Sequence, residues 1–164
     1  MADSHFNQKL RRILEDHGPS SPVEAAKERQ ELLSQQGENH WSWRLKMAEQ
    51  IAAELDPDQF GVKAVYVFGS VKNATAGPGS DIDLLIHFGG TERQRSDLML
   101  WLSGWSLCLA QMNYLAIGYR SEGLLDIHLI TDKDIECRTS FAVKIDAVTD
   151  AARQLPLKQP SKVT

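Results

Sequence analysis

The chain has 164 residues and a formal net charge of −4 at pH 7, because 22 acidic residues outnumber 18 basic ones. This length is typical of one domain with a small appendage, and it is long enough to bury a sizeable core. The acidic balance argues against a dedicated nucleic-acid surface, which usually shows as a basic excess. It does not exclude nucleotide chemistry, because bound metal ions can neutralise a triphosphate.

Two features bear on the compartment. Cys108 and Cys137 are far apart, with neither zinc-ligand spacing nor a disulfide framework, and the first residues lack an apolar signal core. We therefore expect reduced thiols in a cytoplasmic protein.

The long apolar stretch from Ser96 to Tyr119 is interrupted by serine, glycine and amide residues, which favours a buried helix over a membrane span. We expect one side of its segment 98–115 to cover the sheet and the other to meet a second copy or a partner protein.

The first part of the chain predicts two helices. Apolar residues between Phe6 and His17 have helical spacing, and Ser21-Pro22-Val23-Glu24 is a capping-box pattern that begins a second, mostly polar helix. Gly37 ends it. We interpret residues 1–38 as an N-terminal helical extension and residues 39–164 as the main domain.

The main domain predicts an α+β fold. An apolar stripe from Trp41 to Leu55 predicts an amphipathic helix, and three apolar segments predict the strands of a short mixed sheet with helices packed on one face. These strands are Val62–Phe68, Ile82–Phe88 and Leu124–Ile130. A last helix is predicted from about Ser140 to Leu155, where apolar residues again recur at helical spacing.

Two carboxylates stand at the start of the second strand. Asp81 and Asp83 occupy alternate positions, so their side chains point to the same face of the strand. Asp83 enters a strand about to be buried, where a charge is costly unless it is paired or bound to a metal. Carboxylate oxygens suit Mg²⁺ or Mn²⁺, which often keep a substrate phosphate as another ligand. The alternative is that Asp81 caps the turn formed by residues 77–80.

A second motif, Gly69-Ser70, follows the first strand. A glycine at such a turn lets a phosphate approach the backbone, Ser70 adds a hydroxyl, and a short helix from Val71 would direct its positive end at the anion. The sequence therefore predicts a phosphate cradle beside a metal site. The alternative is that Gly69 serves the turn alone.

The ordered set of Gly69-Ser70, ten residues, and Asp81-Ile82-Asp83 resembles the signature of the DNA polymerase β-type nucleotidyltransferase superfamily, in particular its small stand-alone members, the minimal nucleotidyltransferases. The resemblance covers roughly residues 62–131. It implies a nucleotidyltransferase fold and a third acid on a neighbouring strand, for which Asp126 is the candidate.

The resemblance also implies roles for individual residues. It makes Asp81, Asp83 and Asp126 catalytic residues and ligands of Mg²⁺ or Mn²⁺. The nucleotide-binding residues it implies are Gly69, Ser70, Lys72 and Ser80. Many relatives have arginines directly after Gly-Ser, whereas this chain has Val71-Lys72-Asn73, so Lys72 would supply a point charge rather than a bidentate fork.

By resemblance, the expected reaction moves a nucleoside monophosphate, most simply AMP, from ATP or another nucleoside triphosphate to a hydroxyl of a small molecule or a protein, releasing pyrophosphate. Two alternatives stay open: a nucleotide-binding or partner-binding module without turnover, similar to an antitoxin, and a structural protein with incidental acids. His128, two residues after Asp126, could reach the substrate, but a histidine at a strand end is more commonly a packed neutral side chain. Because residues 131–164 are too few to enclose an acceptor, we expect the N-terminal helices, a second subunit or another protein to complete the site.

Overall fold

The structure, a computed structural model, describes residues 40–159. The two helices predicted between Phe6 and Gly37 therefore lie outside the described residues. The helices are α1 (His40–Glu54), α2 (Pro57–Phe60), α3 (Gly69–Lys72), α4 (Glu92–Ile117), α5 (Asp132–Glu136) and a 3₁₀ turn (Ala142–Lys144). The strands are β1 (Val62–Phe68), β2 (Ile82–Phe88), β3 (Leu125–Ile130) and β4 (Arg153–Leu155).

The four strands form one mixed sheet in the order β3-β2-β1-β4. Strand β1 pairs antiparallel with β2 and β4, while β2 and β3 are parallel and α4 lies between them in the chain. Two parallel strands can be joined only by a long crossover connection, and α4 is that connection between β2 and β3. The α+β class, the first three strands and the helix before β1 are confirmed.

The two faces of the sheet have different surroundings. Ile82, Leu84 and Ile86 of β2 alternate onto the face that forms the main core with residues of α1 and α4. A smaller apolar cluster lies on the other face; its members are Phe68, Leu85, Ile130, Ala142 and Ala152. By the same alternation Asp83 belongs to this second face, away from the two long helices.

The predicted helix from about Ser140 to Leu155 is wrong. The segment instead contains the 3₁₀ turn and then β4, whose residues pair with Val65–Val67 at the edge of β1. Asp150 has a left-handed φ of 55°, which a continuous right-handed helix does not contain. The backbone groups of β1 find partners in β4, and this long-range pairing outweighs the local helical spacing.

Helix α4 was expected to be buried on more than one side, and within the described part of the chain it is buried on one. Its buried residues are Leu98, Leu102, Leu109, Ala110 and Asn113. Its most exposed apolar residues are Leu100, Leu107, Met112 and Leu115, with exposed fractions between 52% and 76%. Between residues 40 and 159, no helix combines the length and apolar character that crossing a membrane requires.

Candidate active site

Two carboxylates and an imidazole come together on the second face of the sheet. Asp83 of β2 is directly opposite Asp126 of the parallel strand β3. His128 follows Asp126 on the same face, and its Nε2 lies 3.2 Å from Asp126 Oδ2. One ligand atom from each of these three residues lies within 4.8 Å of the other two. The strand register thus brings together Asp83 and Asp126, as the sequence predicts, and adds a nitrogen donor.

Asp81 lies outside this three-residue group. It precedes β2 and is exposed. Partial desolvation of the carboxyl group by the surrounding protein nevertheless raises the pKa of Asp81, and Asp126 raises it further, while the Arg44 guanidinium lowers it. Asp81 therefore borders the group closely enough to interact with it electrostatically, without belonging to the cluster of donor atoms.

The acids are crowded in a way that a cation would relieve. Burial raises the pKa of Asp83, and the neighbouring Asp126 raises it further, while His128 and Lys144 act in the opposite direction. Like charges and partial desolvation both disfavour the ionised carboxylate. Because a divalent cation favours that ionised form and accepts carboxylate oxygen and imidazole nitrogen, the residues present fit a metal ion.

Gly69 is pressed against the Asp83 carboxylate. Its φ is 67°, in the left-handed region, and a Cβ atom built on it would overlap Asp83 Oδ2. A side chain at this position would therefore strain the backbone and displace a candidate ligand at the same time. Gly69 therefore does two things: it adopts the left-handed turn at the end of β1, and it leaves space for the Asp83 carboxylate.

Ser70 continues the turn into α3, which is only four residues long. The N-cap residue Phe68 provides no side-chain hydrogen bond to the first turn. Such backbone N–H groups need partners, and a phosphate is one that could satisfy them. Because α3 is so short, close backbone approach rather than a helix dipole supports the predicted cradle.

The side chains of Lys72 and Ser80 are already engaged in hydrogen bonds within the protein. Lys72 Nζ donates hydrogen bonds to Asp150 Oδ1 at 2.7 Å and to the Ala151 carbonyl at 3.0 Å. The Ser80 hydroxyl accepts a hydrogen bond from the Gly77 N–H at 2.9 Å. Their predicted contacts with a nucleotide stay predictions, and each side chain would have to exchange or share a protein partner to make them.

The C-terminal segment supplies two site residues that sequence reasoning missed. Phe141 stacks on the His128 ring, with centroids 4.0 Å apart and planes inclined by 22°. Lys144 Nζ lies 5.3 Å from the centroid of the Phe68 ring and lowers the pKa of Asp83. Nothing local in the sequence marks either residue, since their position depends on the pairing of β4 with β1.

A buried arginine fixes the loop before Asp81. Arg44 of α1 is 0% exposed; its Nε donates to the Ser80 carbonyl at 2.9 Å and its Nη2 to the Pro78 carbonyl at 3.0 Å. Nη2 also donates to Asn113 Oδ1 at 3.1 Å, and Asn113 Nδ2 donates to the Pro78 carbonyl at 3.1 Å. Helices α1 and α4 thus hold the loop, and a positive charge next to Asp81 favours its ionised form. An arginine within the apolar stripe of α1 was the available signal.

Comparison with known proteins adds the family. The sequence profile described as "Nucleotidyltransferase domain" matches residues 45–152, which is most of the chain. The chain belongs to this nucleotidyltransferase family. The matched segment contains Asp81, Asp83, Asp126 and His128, and the family confirms the resemblance that the Gly-Ser and Asp-x-Asp motifs indicate.

One solved structure is also similar. It is a crystal structure of a protein from Sulfolobus solfataricus, provisionally named a nucleotidyltransferase, with 20% sequence identity and a TM-score of 0.33. The similarity covers 73% of this chain and 83% of that one. No curated protein matches the chain significantly. Family membership assigns nucleotidyl transfer in general, with a nucleoside triphosphate substrate and a divalent metal as the usual requirements of the family.

The raised pKa of Asp83 leads to a stability prediction for the metal-free protein. Since the folded-state pKa lies above the unfolded value of about 4, the ionised carboxylate destabilises the fold at neutral pH. Replacing Asp83 with Asn should therefore raise the melting temperature at pH 7 by a few degrees. The difference should disappear as the pH falls below about 4, where both states of the wild-type carboxyl are protonated.

Thermal unfolding in the presence of a chelator, followed by circular dichroism between pH 3.5 and 8, checks this. Asp132→Asn is the matched control, because Asp132 accepts from Lys63 Nζ at 2.6 Å and its pKa is lowered rather than raised. This variant should lose stability at pH 7. A melting temperature for Asp83→Asn below that of the wild type across the whole pH range would contradict the crowding described here.

Proposed function

We propose that this protein is a divalent-metal-dependent nucleotidyltransferase that transfers a nucleoside monophosphate, most simply AMP from ATP, to a hydroxyl of a small molecule or a protein. The observation that carries the proposal is the pairing of Asp83 with Asp126 across parallel strands, with Gly69 pressed against Asp83. Two acids and a close backbone approach provide the parts that phosphoryl chemistry needs. They lie in the segment that the family profile matches.

In this reaction the acceptor hydroxyl oxygen forms a bond to the α-phosphorus, and the bond from that phosphorus to the pyrophosphate oxygen breaks. The hydroxyl proton passes to a carboxylate oxygen of Asp126 or to water. A bound divalent metal supplies charge neutralisation and lowers the pKa of the hydroxyl. In this proposal Asp83 and Asp126 hold the metal, Asp81 joins them by turning toward it from the edge of the group, and Asp126 acts on the acceptor side.

The phosphates of the leaving group are assigned to the opposite side of the site. Gly69 and Ser70 would receive them through backbone N–H groups and the serine hydroxyl, as described above. Lys72 and Ser80 are proposed as further nucleotide contacts, although Lys72 would have to leave Asp150. Lys144, whose charge already lowers the pKa of Asp83, would add positive charge to the site.

The acceptor defines how the protein is used. A protein acceptor would make this chain similar to the antitoxin half of a toxin–antitoxin pair, in which the enzyme modifies its partner; a small-molecule acceptor would make it a metabolic or resistance enzyme. We propose that it works in the cytoplasm, with residues 39–164 as the catalytic domain and residues 1–38 as a helical extension. The acidic balance of the chain disfavours a nucleic-acid acceptor.

Pyrophosphate release tests the proposal. Each of the four nucleoside triphosphates is supplied with Mg²⁺ or Mn²⁺, with and without host lysate as a source of acceptor. We expect release with one triphosphate above the others, and a loss of at least about 100-fold in Asp83→Asn and in Asp126→Asn, because several kcal/mol of transition-state stabilisation depend on the metal site.

The control for these variants is again Asp132→Asn. It removes an exposed acid at the start of α5, outside the group of Asp83, Asp126 and His128, and should retain activity. Wild-type activity in Asp83→Asn would contradict the assignment of the metal site. Binding of triphosphate that depends on metal but yields no product with any acceptor would support the alternative, a nucleotide-binding or antitoxin-like module without turnover.

We also propose that the protein self-associates through the exposed side of α4, in segment 98–115. Leu100, Leu107 and Leu115 are 76%, 61% and 60% exposed and lie on one helical stripe together with Gly104. A side chain added at Gly104 would meet no atom within 4 Å. The stripe therefore offers apolar contact area around a glycine at which a second helix can approach closely, and a second copy brings the same stripe.

Molar mass in solution tests this. Light scattering at micromolar concentration should give twice the mass of the 18.4 kDa chain, and Leu107→Glu should reduce it to that of one chain. Glu54→Gln is a surface control that should leave the dimer intact, because Glu54 is an exposed residue at the end of α1 rather than of α4. A monomeric wild-type mass at the same concentration would contradict self-association and leave the stripe to a different protein.

A further inference from the structure

His128 provides the nitrogen donor in the group formed with Asp83 and Asp126. We infer that His128 is itself a ligand of the metal, and that its imidazole makes the site prefer Mn²⁺ or another first-row transition ion over Mg²⁺. This inference rests on the proposed metal-dependent function, and it adds the chemical class of the ion. The sequence interpretation of His128 as a packed neutral side chain is the reading it replaces.

The first argument is the distance between donors. The ligand atoms of all three residues lie within 4.8 Å of one another, and His128 Nε2 is 3.2 Å from Asp126 Oδ2. Bonds of about 2.0–2.3 Å from nitrogen and oxygen to a divalent ion place its ligand atoms about 3 to 4.6 Å apart. The three side chains therefore need only small movements to share one ion.

The second argument is that the imidazole ring is held by its neighbours. Phe141 stacks on the ring at 4.0 Å, and Phe68 lies at a tilt with its centroid 5.7 Å away. These contacts restrict rotation of the His128 ring while its Nε2 faces the Asp126 carboxylate. A ligand whose rotamer is fixed by packing is what a metal site requires.

The third argument comes from comparison with His87, which lies on the same sheet face of β2. His87 Nε2 is 2.7 Å from Asp132 Oδ1, but Asp132 is an exposed carboxylate already bonded to Lys63. This is a pair of one partly buried histidine with one exposed acid. His128 instead lies within reach of acids from two neighbouring strands, Asp83 and Asp126.

The donor set decides the class of ion. Imidazole nitrogen is a common ligand of first-row transition ions such as iron, nickel and zinc, and Mn²⁺ accepts it more readily than Mg²⁺ does, because Mg²⁺ is usually held by oxygen atoms of carboxylates, water and phosphate. A site that contains only carboxylates would give His128 no part in this selectivity. With His128 as a ligand, removing the imidazole should weaken transition ions much more than Mg²⁺.

Metal binding measured without turnover tests the inference. Mn²⁺ affinity is obtained from the electron paramagnetic resonance signal of the free ion, and Mg²⁺ affinity from competition with Mn²⁺. In His128→Gln we expect the Mn²⁺ affinity to fall at least about tenfold, the loss found when even an outer partner of a metal ligand is removed. The Mg²⁺ affinity should change less than about twofold, so the preference for Mn²⁺ falls.

His87→Gln is the matched control, and both affinities should stay at the wild-type value. An unchanged or higher Mn²⁺ affinity in His128→Gln would overturn the inference, because it would make His128 a packing residue or a competitor of the ion for Asp126. Pulsed electron paramagnetic resonance of the wild-type Mn²⁺ complex removes any dependence on the variant's folding: coupling to an imidazole nitrogen is expected, and its absence overturns the inference.

The same experiment separates this inference from the proposed function. Asp83→Asn should lose affinity for both ions if the proposed metal site exists, and retention of both would count against the function. If Asp83→Asn loses both ions while His128→Gln keeps its preference for Mn²⁺, the metal site stands and the role of His128 does not.

Discussion

The parallel pairing of β2 with β3 is the constraint on which the rest of the site depends. This register puts Asp83 opposite Asp126 and brings two carboxylates together on a partly buried surface, where like charges disfavour each other. Shifting either strand by one residue would move its acid to the apolar face packed by the long helices. The apolar alternation that packs β2 and β3 against the long helices therefore fixes the position of the acids as well as the fold.

The residues around Asp83 and Asp126 accommodate this pair of acids or offset its charge. Gly69 leaves room for the Asp83 carboxylate, where any side chain would overlap it. His128 and Lys144 each lower the pKa of Asp83 and so favour its ionised form. Arg44 of α1, together with Asn113 of α4, holds the loop before Asp81. The apolar helical layer and the acidic face are thus linked by a buried cation, so loss of packing in one affects the other.

The sequence predicts the acids and the glycine turn of the candidate site, but not the residues that the C-terminal segment adds to it. Alternation in Asp81-Ile82-Asp83 and the Gly-Ser turn are local patterns with a direct physical meaning, and they predict Asp83 at the start of β2 and Gly69 after β1, although Asp81 lies outside the group of donor atoms. Lys144 and Phe141 were not predictable because the helical spacing after Ser140 is overruled by the pairing of β4 with β1. His128 was visible but ambiguous, since only the register with β2 shows that it faces two acids.

The most direct measurement of the central claim is the position of a bound ion beside a nucleotide. Crystals grown with Mn²⁺ and a non-hydrolysable ATP analogue should give an anomalous diffraction peak in contact with Asp83 and Asp126, with the α-phosphate next to it and the terminal phosphates towards Gly69 and Ser70. A nucleotide bound elsewhere on the chain, or manganese that avoids both acids, would contradict the account.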